Sequence, residues 1–167
     1  MTEEVKRNYL EINSLQDLKE GYKPSEDYSL SLIDPDNFQL NKFFYKTIGK
    51  NHKWKDRLSW SEEKWISYVS SEKVKTYVFK FKDDLVGFFE LIFHLEKKET
   101  EIAYFGILEE YQNKKLGSYL LSEAVKKSFQ SNISRVWVHT CSLDHKNALN
   151  NYISRGMKIF KTEILNI

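Results

Sequence analysis

Apolar and polar residues alternate along the chain in blocks that predict strands and helices. The clearest block spans residues 101–130. Its positions 102–108 form a nearly unbroken apolar run, which is typical of a strand buried on both faces. After a polar loop over 112–117, apolar residues return at helical spacing and form one stripe: Leu116, Leu120, Leu121, Ala124, Val125 and Phe129. A helix is therefore predicted to begin at the carboxyl end of a buried strand, where unpaired backbone N–H groups bind anions.

The segments on either side of this block have the periodicity of further strands and helices. Strands are predicted over 28–33, 74–81, 85–95, 135–141 and 159–164, with a strand or an extended arm over 9–12. Helices are predicted over 38–48, 62–69 and 147–155, the second of them capped by Ser61. A right-handed crossover should place the strand over 135–141 parallel to the central one. This order predicts a single α/β domain over residues 1–167 with a mixed central sheet.

Composition narrows the classes of function. Apolar residues make up 41% and aromatic residues 15% of the 167 residues, as in a folded domain with a core. The 26 basic and 24 acidic residues give a net charge of +2, so no nucleic-acid partner is expected. No segment has the ~20 apolar residues of a membrane span, and the charged N-terminus lacks the apolar core of a signal peptide. With Cys141 as the single cysteine, an internal disulfide is excluded, and a reducing, cytoplasmic location without a membrane partner is expected.

Two lysines in the polar loop favour an anionic ligand. Lys114 and Lys115 precede the helix, where a cation opposes the helix dipole unless a bound anion compensates it. A solvated basic turn is the alternative interpretation. The loop also resembles the Gln/Arg-x-x-Gly-x-Gly/Ala motif of the GNAT family of N-acetyltransferases, whose amides hold the pyrophosphate of acetyl-coenzyme A. Gln112 and Gly117 match that motif, and Lys115 stands where its first glycine is usual.

A second stretch, after the strand predicted over 135–141, resembles the same family. There the family has a pattern close to Asn-x-x-Ala-x-x-x-Tyr-x-x-x-Gly-Phe. Ala148, Tyr152 and Gly156 keep this spacing. His145 stands where asparagine is usual, and Met157 takes the place of phenylalanine.

The resemblance covers residues 74–160 and implies a fold. This is the GNAT-type acyl-CoA N-acyltransferase fold, with antiparallel N-terminal strands, a splayed parallel pair and flanking helices, and a coenzyme-binding core at about 101–160. The resemblance implies acetyl-coenzyme A as co-substrate, lying along the central strand with its diphosphate on the loop amides. The cofactor-binding residues implied in this way are Gly106, Ile107, Leu108, Gln112, Asn113, Lys114, Lys115, Leu116, Gly117, Ser118, His145 and Ala148.

The resemblance also implies a general acid and suggests two candidates for the base. Tyr152 matches the family's tyrosine that protonates the departing thiolate, with packing of its ring under the loop as the alternative. Glu101 corresponds to a glutamate that acts through water in several branches of the family, with a surface acid as the alternative. Glu90 is the second candidate, because a carboxylate in the apolar run FFELIF needs a partner or a raised pKa.

Residues that bind the acceptor are expected in the loop over 52–60 and on the central strand. In the family, the region between the first two helices often forms one wall of the acceptor site. Trp54 and Arg57 lie in that region, and Arg57 could hold a carboxylate of the acceptor. Aromatic packing of this loop against the sheet is the alternative. Tyr104, on the central strand, is a further candidate for the acceptor cleft.

Cys141, His139 and His145 raise the questions of a nucleophile and of a metal site. Transfer in the GNAT family is usually direct, so a buried, inert thiol is expected at Cys141. The spacing of the three residues does not match common zinc patterns, so no metal is expected.

The sequence therefore predicts an N-acetyltransferase that moves an acetyl group from acetyl-coenzyme A to a primary amine by direct attack. The acceptor is expected to be a small-molecule or peptide amine, and the protein a monomer or homodimer. A non-catalytic coenzyme A-binding or regulatory module is the alternative, because Lys115, His145 and Met157 depart from the family's motifs. A phosphate-binding protein of another kind is a weaker alternative, since the Gly-Lys-Ser/Thr ending of a P-loop is missing.

Overall fold

A computed structural model describes residues 3–130 and 132–166, which form one mixed sheet of seven strands with helices on both faces. The strands are β1 (Glu4–Ile12), β2 (Tyr28–Leu32), β3 (Val74–Phe81), β4 (Asp84–His94), β5 (Glu99–Ile107), β6 (Arg135–Cys141) and β7 (Lys158–Asn166). The helices are α1 (Phe38–Gly49), α2 (Glu62–Val69), α3 (Leu116–Ser128) and α4 (Ala148–Ser154). Within these described residues, no helix is both long and apolar enough to cross a membrane.

The boundaries of the elements follow the apolar periodicity of the sequence closely. The elements α2, β3 and β6 begin and end at the predicted residues. The Ser61 hydroxyl accepts a hydrogen bond from the Lys64 N–H at 3.1 Å, which confirms the predicted cap. The largest difference is β1, which begins at Glu4 and is a full strand rather than a short strand or arm over 9–12.

The strand order in the sheet is β2-β3-β4-β5-β6-β1-β7. Neighbouring strands are antiparallel except for β5 and β6, which are parallel across the α3 crossover. The predicted mixed α/β sheet, with antiparallel strands leading to one parallel pair, is therefore confirmed. β1 lies between β6 and β7, so that Arg7 faces Cys141 on one side and Glu163 on the other.

The parallel pair β5–β6 stays together for only three residue pairs. Residues 99–101 of β5 pair with residues 135–137 of β6, and no pairing follows. β4 continues to hold the other edge of β5, and β1 holds the other edge of β6. β5 also contains a bulge at Ala103, which has no partner in β4. Such a bulge bends the strand and increases its twist. The two strands therefore separate towards their carboxyl ends and leave a crevice between them.

The two faces of the sheet are covered unequally. On one face, α3 buries Leu120, Leu121 and Ala124 completely against all the central strands, including β6 and β1. On the other face, Phe44 of α1 stacks on Phe88 of β4 with ring centroids 5.0 Å apart. The apolar clusters under α1 and α2 contain residues of β3, β4 and β5, and within the described residues none of β6, β1 or β7. The part of the second face formed by β6, β1 and β7, next to the crevice, therefore carries polar and aromatic side chains that α1 and α2 do not cover.

The segment between β1 and β2 crosses the start of α3 and the end of α4. The Gly21 N–H donates to the Ser122 hydroxyl of α3 at 2.6 Å, and the Lys19 N–H donates to the Arg155 carbonyl at 2.9 Å. Gly156, which ends α4 with a φ of +105°, lies against this segment so closely that a side chain there would collide with its backbone. The N-terminal segment thus fixes the relative position of α3 and α4 on one side of the crevice.

A buried ion pair ties the loop between α1 and α2 to β4. The Arg57 guanidinium donates to both carboxylate oxygens of Glu90, at 2.7 and 2.8 Å. The Tyr68 hydroxyl and the Asn41 side-chain amide donate to the same carboxylate at 2.7 and 2.9 Å. Glu90 is completely buried and Arg57 is 4% exposed. The partner that a carboxylate in this apolar strand requires is therefore Arg57.

We expect Arg57→Met to lower the free energy of unfolding by about 3–5 kcal/mol, because it leaves the buried Glu90 carboxylate without its cation. Lys64→Met, which removes an exposed cation of α2 from the same region, should change it by less than about 0.5 kcal/mol. Urea denaturation measures both variants. Equal, small losses in the two variants would contradict the structural role of the pair.

Candidate functional site

The separation of β5 and β6 opens a cavity of about 1130 Å³. Residues 102–107 of β5 form one wall, and Val138, His139 and Cys141 of β6 form another. The loop before α3 lines the cavity on one side of the sheet, and residues 52–56 line it on the other. A cavity of this size can hold one extended ligand together with a smaller one.

The wall formed by β5 presents backbone groups that have lost their partner strand. The Leu108 N–H donates to the Val86 carbonyl at 2.8 Å, so Leu108 directs its backbone towards β4. Because these directions alternate along a strand, Phe105 and Ile107 direct their N–H and C=O groups away from β4, towards the crevice. Backbone groups on such an edge need partners, and an extended chain lying along the strand supplies them.

The loop before α3 has the geometry of an anion site. Asn113 and Lys115 both have left-handed backbone angles, with φ of 65° and 62°. Such residues turn neighbouring N–H groups into one concave surface. No side chain caps α3 and its first turn contains no acidic residue, so the N–H groups there are available to a ligand. Next to them, a methyl group on Gly117 would first meet the Asn151 side-chain nitrogen at 3.5 Å, which leaves room in front of the loop.

The left-handed angle of Lys115 explains the glycine that is usual at this position of the motif. Glycine reaches this conformation without strain, whereas a residue with a side chain adopts it at a cost. The loop therefore keeps its shape although Lys115 departs from the motif. Lys115 lines the cavity and Lys114 does not; the Lys114 ammonium lies 5.4 Å from the centre of the Tyr111 ring.

Most residues predicted to bind a coenzyme lie together around the cavity. Those that line it are Gly106, Ile107, Gln112, Asn113, Lys115, Leu116, Gly117, Ser118, His145 and Ala148. Leu108 and Lys114 do not line it. The Leu108 side chain is buried under α1. The Gln112 side chain donates to the Ile107 carbonyl at 3.1 Å, so it links the loop to the end of β5.

Tyr152, the predicted acid, lies in the cavity wall on α4. It is 6% exposed, and its ring packs against Phe105 with centroids 6.4 Å apart. Among the described residues its hydroxyl has no hydrogen-bond partner. Burial, with a smaller contribution from Asp144, raises the pKa of this hydroxyl, so that it keeps its proton at neutral pH. Tyr152 can therefore pack its ring and still donate a proton to a ligand.

A group of polar and aromatic side chains lines the cavity near residues 52–56. The Asp56 carboxylate accepts hydrogen bonds from the Tyr104 hydroxyl at 2.6 Å and from the Tyr45 hydroxyl at 2.9 Å. Trp54 packs on Tyr104 with ring centroids 4.7 Å apart. Asp56, Trp54 and Tyr104, which together form the Asp56 group, all line the cavity, and the Asp56 side chain is exposed. A carboxylate beside aromatic rings is suited to an ammonium group.

His139 and Cys141 face the same part of the cavity from β6. Burial, followed by the positive charge of Arg7, lowers the pKa of His139 below its ordinary value of 6.5. Its imidazole is therefore neutral at pH 7 and able to accept a proton. Burial raises the pKa of the Cys141 thiol, which therefore stays protonated and is a weak nucleophile.

Three residues predicted from the sequence to act in catalysis or acceptor binding do not line the cavity. Glu90 and Arg57 are buried against each other, so neither charge is available to a substrate. Glu101 lies where β5 still pairs with β6, and its carboxylate is 3.2 Å from the His94 imidazole. The sequence identified these residues as candidates, but it did not show that each would pair with another side chain of the protein. Asp56 and His139, which do line the cavity, lacked any local signal for a role in acceptor binding or proton transfer.

Comparison with known proteins adds a family and a fold. A sequence model described as the acetyltransferase (GNAT) family matches residues 32–157. A GCN5-related N-acetyltransferase from Sphaerobacter thermophilus superimposes with a TM-score of 0.73 at 16% identity, over 99% of this chain and 52% of that one. A GCN5-related N-acetyltransferase from Kribbella flavida gives 0.67 at 13% identity, over 95% of this chain and 56% of that one. An IAA acetyltransferase from Bacillus cereus gives 0.59 at 22% identity, over 80% and 79%.

These identities are low, so the solved structures establish a shared fold. The chain spans only about half to three fifths of the length of the first structures that it matches. No curated protein sequence matches it. The match to the family model covers the strands β3 to β6, the loop before α3 and Tyr152, and thus most of the elements that form the cavity; β1 and β7, which also contribute to its lining, lie outside the match.

Proposed function

The chain belongs to the GNAT family of acetyltransferases, and on this premise we propose that it transfers an acetyl group from acetyl-coenzyme A to a primary amine. The observation that carries the proposal is the crevice between β5 and β6, which is lined by two chemically different groups of residues. The loop before α3 offers backbone N–H groups to an anion, and the Asp56 group offers a carboxylate and aromatic rings to an amine. A thioester and an amine can react only if both enter one cavity, and here both sets of residues line the same one.

The residues around the crevice fit the coenzyme on three counts. The N–H and C=O of Phe105 and the N–H of Ile107 suit the amides of an extended pantetheine arm. The N–H groups at the start of α3 suit a diphosphate, and Lys115 adds a positive charge beside them. The open space in front of Gly117 allows the diphosphate to approach the backbone.

Acetyl transfer requires two proton movements. The amine nitrogen attacks the thioester carbonyl carbon, so that a C–N bond forms and the C–S bond breaks. The ammonium form of the amine must lose a proton, and the departing thiolate must gain one. We assign the first step to His139, which is neutral and lines the cavity, in place of Glu101 and Glu90. We assign the second step to Tyr152, whose hydroxyl has no protein partner among the described residues.

A non-catalytic coenzyme A-binding module remains the alternative function. Such a module needs the loop before α3, but it has no use for a proton acceptor and an amine site in the same cavity. The release of free coenzyme A thiol from acetyl-coenzyme A, with a panel of primary amines, separates the two functions. An enzyme releases thiol at a rate that depends on the amine, whereas a binding module protects the thioester or leaves it unchanged.

Gly117→Val should weaken the binding of coenzyme A by roughly tenfold or more, because a branched side chain obstructs hydrogen bonds between the loop and a charged group. The fold should survive, since the space at Gly117 accepts a side chain. Gly117→Ala is the matched control and should retain most of the affinity. Calorimetric titration with coenzyme A measures all three proteins. Wild-type affinity in Gly117→Val would contradict the role of the loop.

Tyr152→Phe should lower the turnover number by about 10²–10⁴-fold, because it removes the general acid. The melting temperature should hardly change, since the ring stays in place and the hydroxyl has no protein partner to lose. The loss should shrink with acetyl thioesters whose thiols are more acidic, because these leave without protonation. Stopped assays of thiol release supply the rates.

Tyr111→Phe is the matched control for Tyr152→Phe. Tyr111 also lines the cavity, but its hydroxyl contacts Asp84 at 3.4 Å, outside the crevice. This variant should keep its turnover number. Full activity in Tyr152→Phe, or a loss of activity that simply follows a lower melting temperature, would remove Tyr152 from the mechanism.

A further inference from the structure

The Arg7 guanidinium has no part in the proposed acetyl transfer, although Arg7 lines the same cavity as the Asp56 group. Arg7 lies on β1, the strand inserted between β6 and β7, and its side chain lines the cavity. It stands opposite Cys141, two residues from His139 along β6. The insertion of β1 thus brings a guanidinium to the wall where we expect the acceptor to bind.

Arg7 is half-buried and lacks a charged partner among the described residues. Its Nε atom is buried without any hydrogen-bond partner. The carboxylate across the strand pair, Glu163, is held by the Lys161 ammonium at 2.7 Å and by the Tyr9 hydroxyl at 3.4 Å. By contrast, Arg135 and Arg57 have carboxylate partners within 3.3 Å. Arg155, just after α4, is a second arginine of the cavity whose Nε is buried without a partner. A half-buried guanidinium that forms no salt bridge can pair with the carboxylate of a ligand.

Two carboxylates that act on His139 also line the cavity, those of Asp144 and Asp56. The Asp144 carboxylate accepts hydrogen bonds from the Thr140 hydroxyl and the Cys141 N–H in the turn after β6, which leaves Asp56 as the carboxylate on the opposite wall. The cationic form of His139 is disfavoured by Arg7 and favoured by both carboxylates. His139 therefore lies within electrostatic reach of a cation on β1 and of an anion on the loop between α1 and α2. A ligand that bridges the two must carry a positive and a negative group.

We propose that the acceptor is a small zwitterion, an amine that also carries a carboxylate, as an amino acid does. Its carboxylate pairs with the Arg7 guanidinium, and its ammonium faces Asp56 and His139. The aromatic rings of Trp54 and Tyr104 lie beside the Asp56 carboxylate and contact the remainder of the molecule. This inference rests on the proposed acetyl transfer and names its substrate class. The role of binding the acceptor carboxylate, predicted for Arg57, belongs to Arg7 instead.

The test compares acceptors that differ only at the carboxylate. The L-amino acids and their carboxamides are assayed in pairs, and thiol release gives kcat/KM for each member. For the wild-type protein, the best pair should favour the carboxylate by about 10- to 100-fold, which is what a hydrogen bond to a charged group is worth. Arg7→Gln should reduce this ratio to within about twofold of one, and Arg7→Lys should restore part of it.

Lys6→Gln is the matched control, because it removes a neighbouring exposed cation of β1 that does not line the cavity. It should leave the ratio unchanged. Melting temperatures identify any variant that fails to fold. If Arg7→Gln fails to fold, the ratio of carboxylate to carboxamide activity in Arg7→Lys is compared with the wild-type ratio instead.

The outcomes separate the two proposals. Thiol release with carboxamides or simple amines but without a preference for the carboxylate overturns the zwitterion and leaves acetyl transfer standing. A preference that persists in Arg7→Gln also overturns the assignment to Arg7. No thiol release with any amine overturns both.

Discussion

The contact on which the rest of the structure depends is the short pairing between β5 and β6. Residues 99–101 and 135–137 are the only stretch where the two halves of the sheet, β2-β3-β4-β5 and β6-β1-β7, are hydrogen-bonded to each other within the described residues. Each half is held along its own inner strands, β5 by β4 and β6 by β1, so the two can diverge without losing the sheet. The divergence leaves the N–H and C=O of Phe105 and the N–H of Ile107 without a strand partner, and water or an extended ligand can satisfy them. The Ile107 carbonyl already accepts a hydrogen bond from Gln112. The cavity, the position of Tyr152 in its wall and the proposed binding of the coenzyme all depend on this separation.

The insertion of β1 gives the second half of the sheet its chemistry. β1 holds the edge of β6 that faces away from β5, and it carries Arg7 to the cavity wall. The loop between α1 and α2 completes the wall from the other side. That loop is fixed by the buried Arg57–Glu90 pair, while Asp56, the residue before Arg57, lines the cavity. Neighbouring residues of one loop thus serve the core and the site separately.

Local signals in the sequence predicted the secondary-structure elements well and the contacts between distant residues poorly. The helices, the strands and the loop before α3 follow from periodicity, from the Ser61 cap and from the spacing of Gln112 and Gly117, which are all short-range features. The need of Glu90 for a partner also followed from its apolar surroundings. Its pairing with Arg57, the insertion of β1 between β6 and β7, and the meeting of Arg7, His139 and Asp56 in one cavity depend on contacts between distant segments. Such contacts leave no periodic trace, so the sequence offered Glu101 and Glu90 as bases and raised His139 only in the question of a metal site.

Residue-resolved amide hydrogen exchange with and without acetyl-coenzyme A tests the central claim most directly. If the pantetheine arm lies along the free edge of β5, the Phe105 and Ile107 amides should exchange more slowly with the ligand, together with those of residues 113–118. The Leu108 amide, already bonded to Val86 at 2.8 Å, should change less and serves as the internal reference. Binding at saturating ligand without slower exchange at Phe105 and Ile107, or with slower exchange only elsewhere, would contradict a coenzyme cleft between β5 and β6.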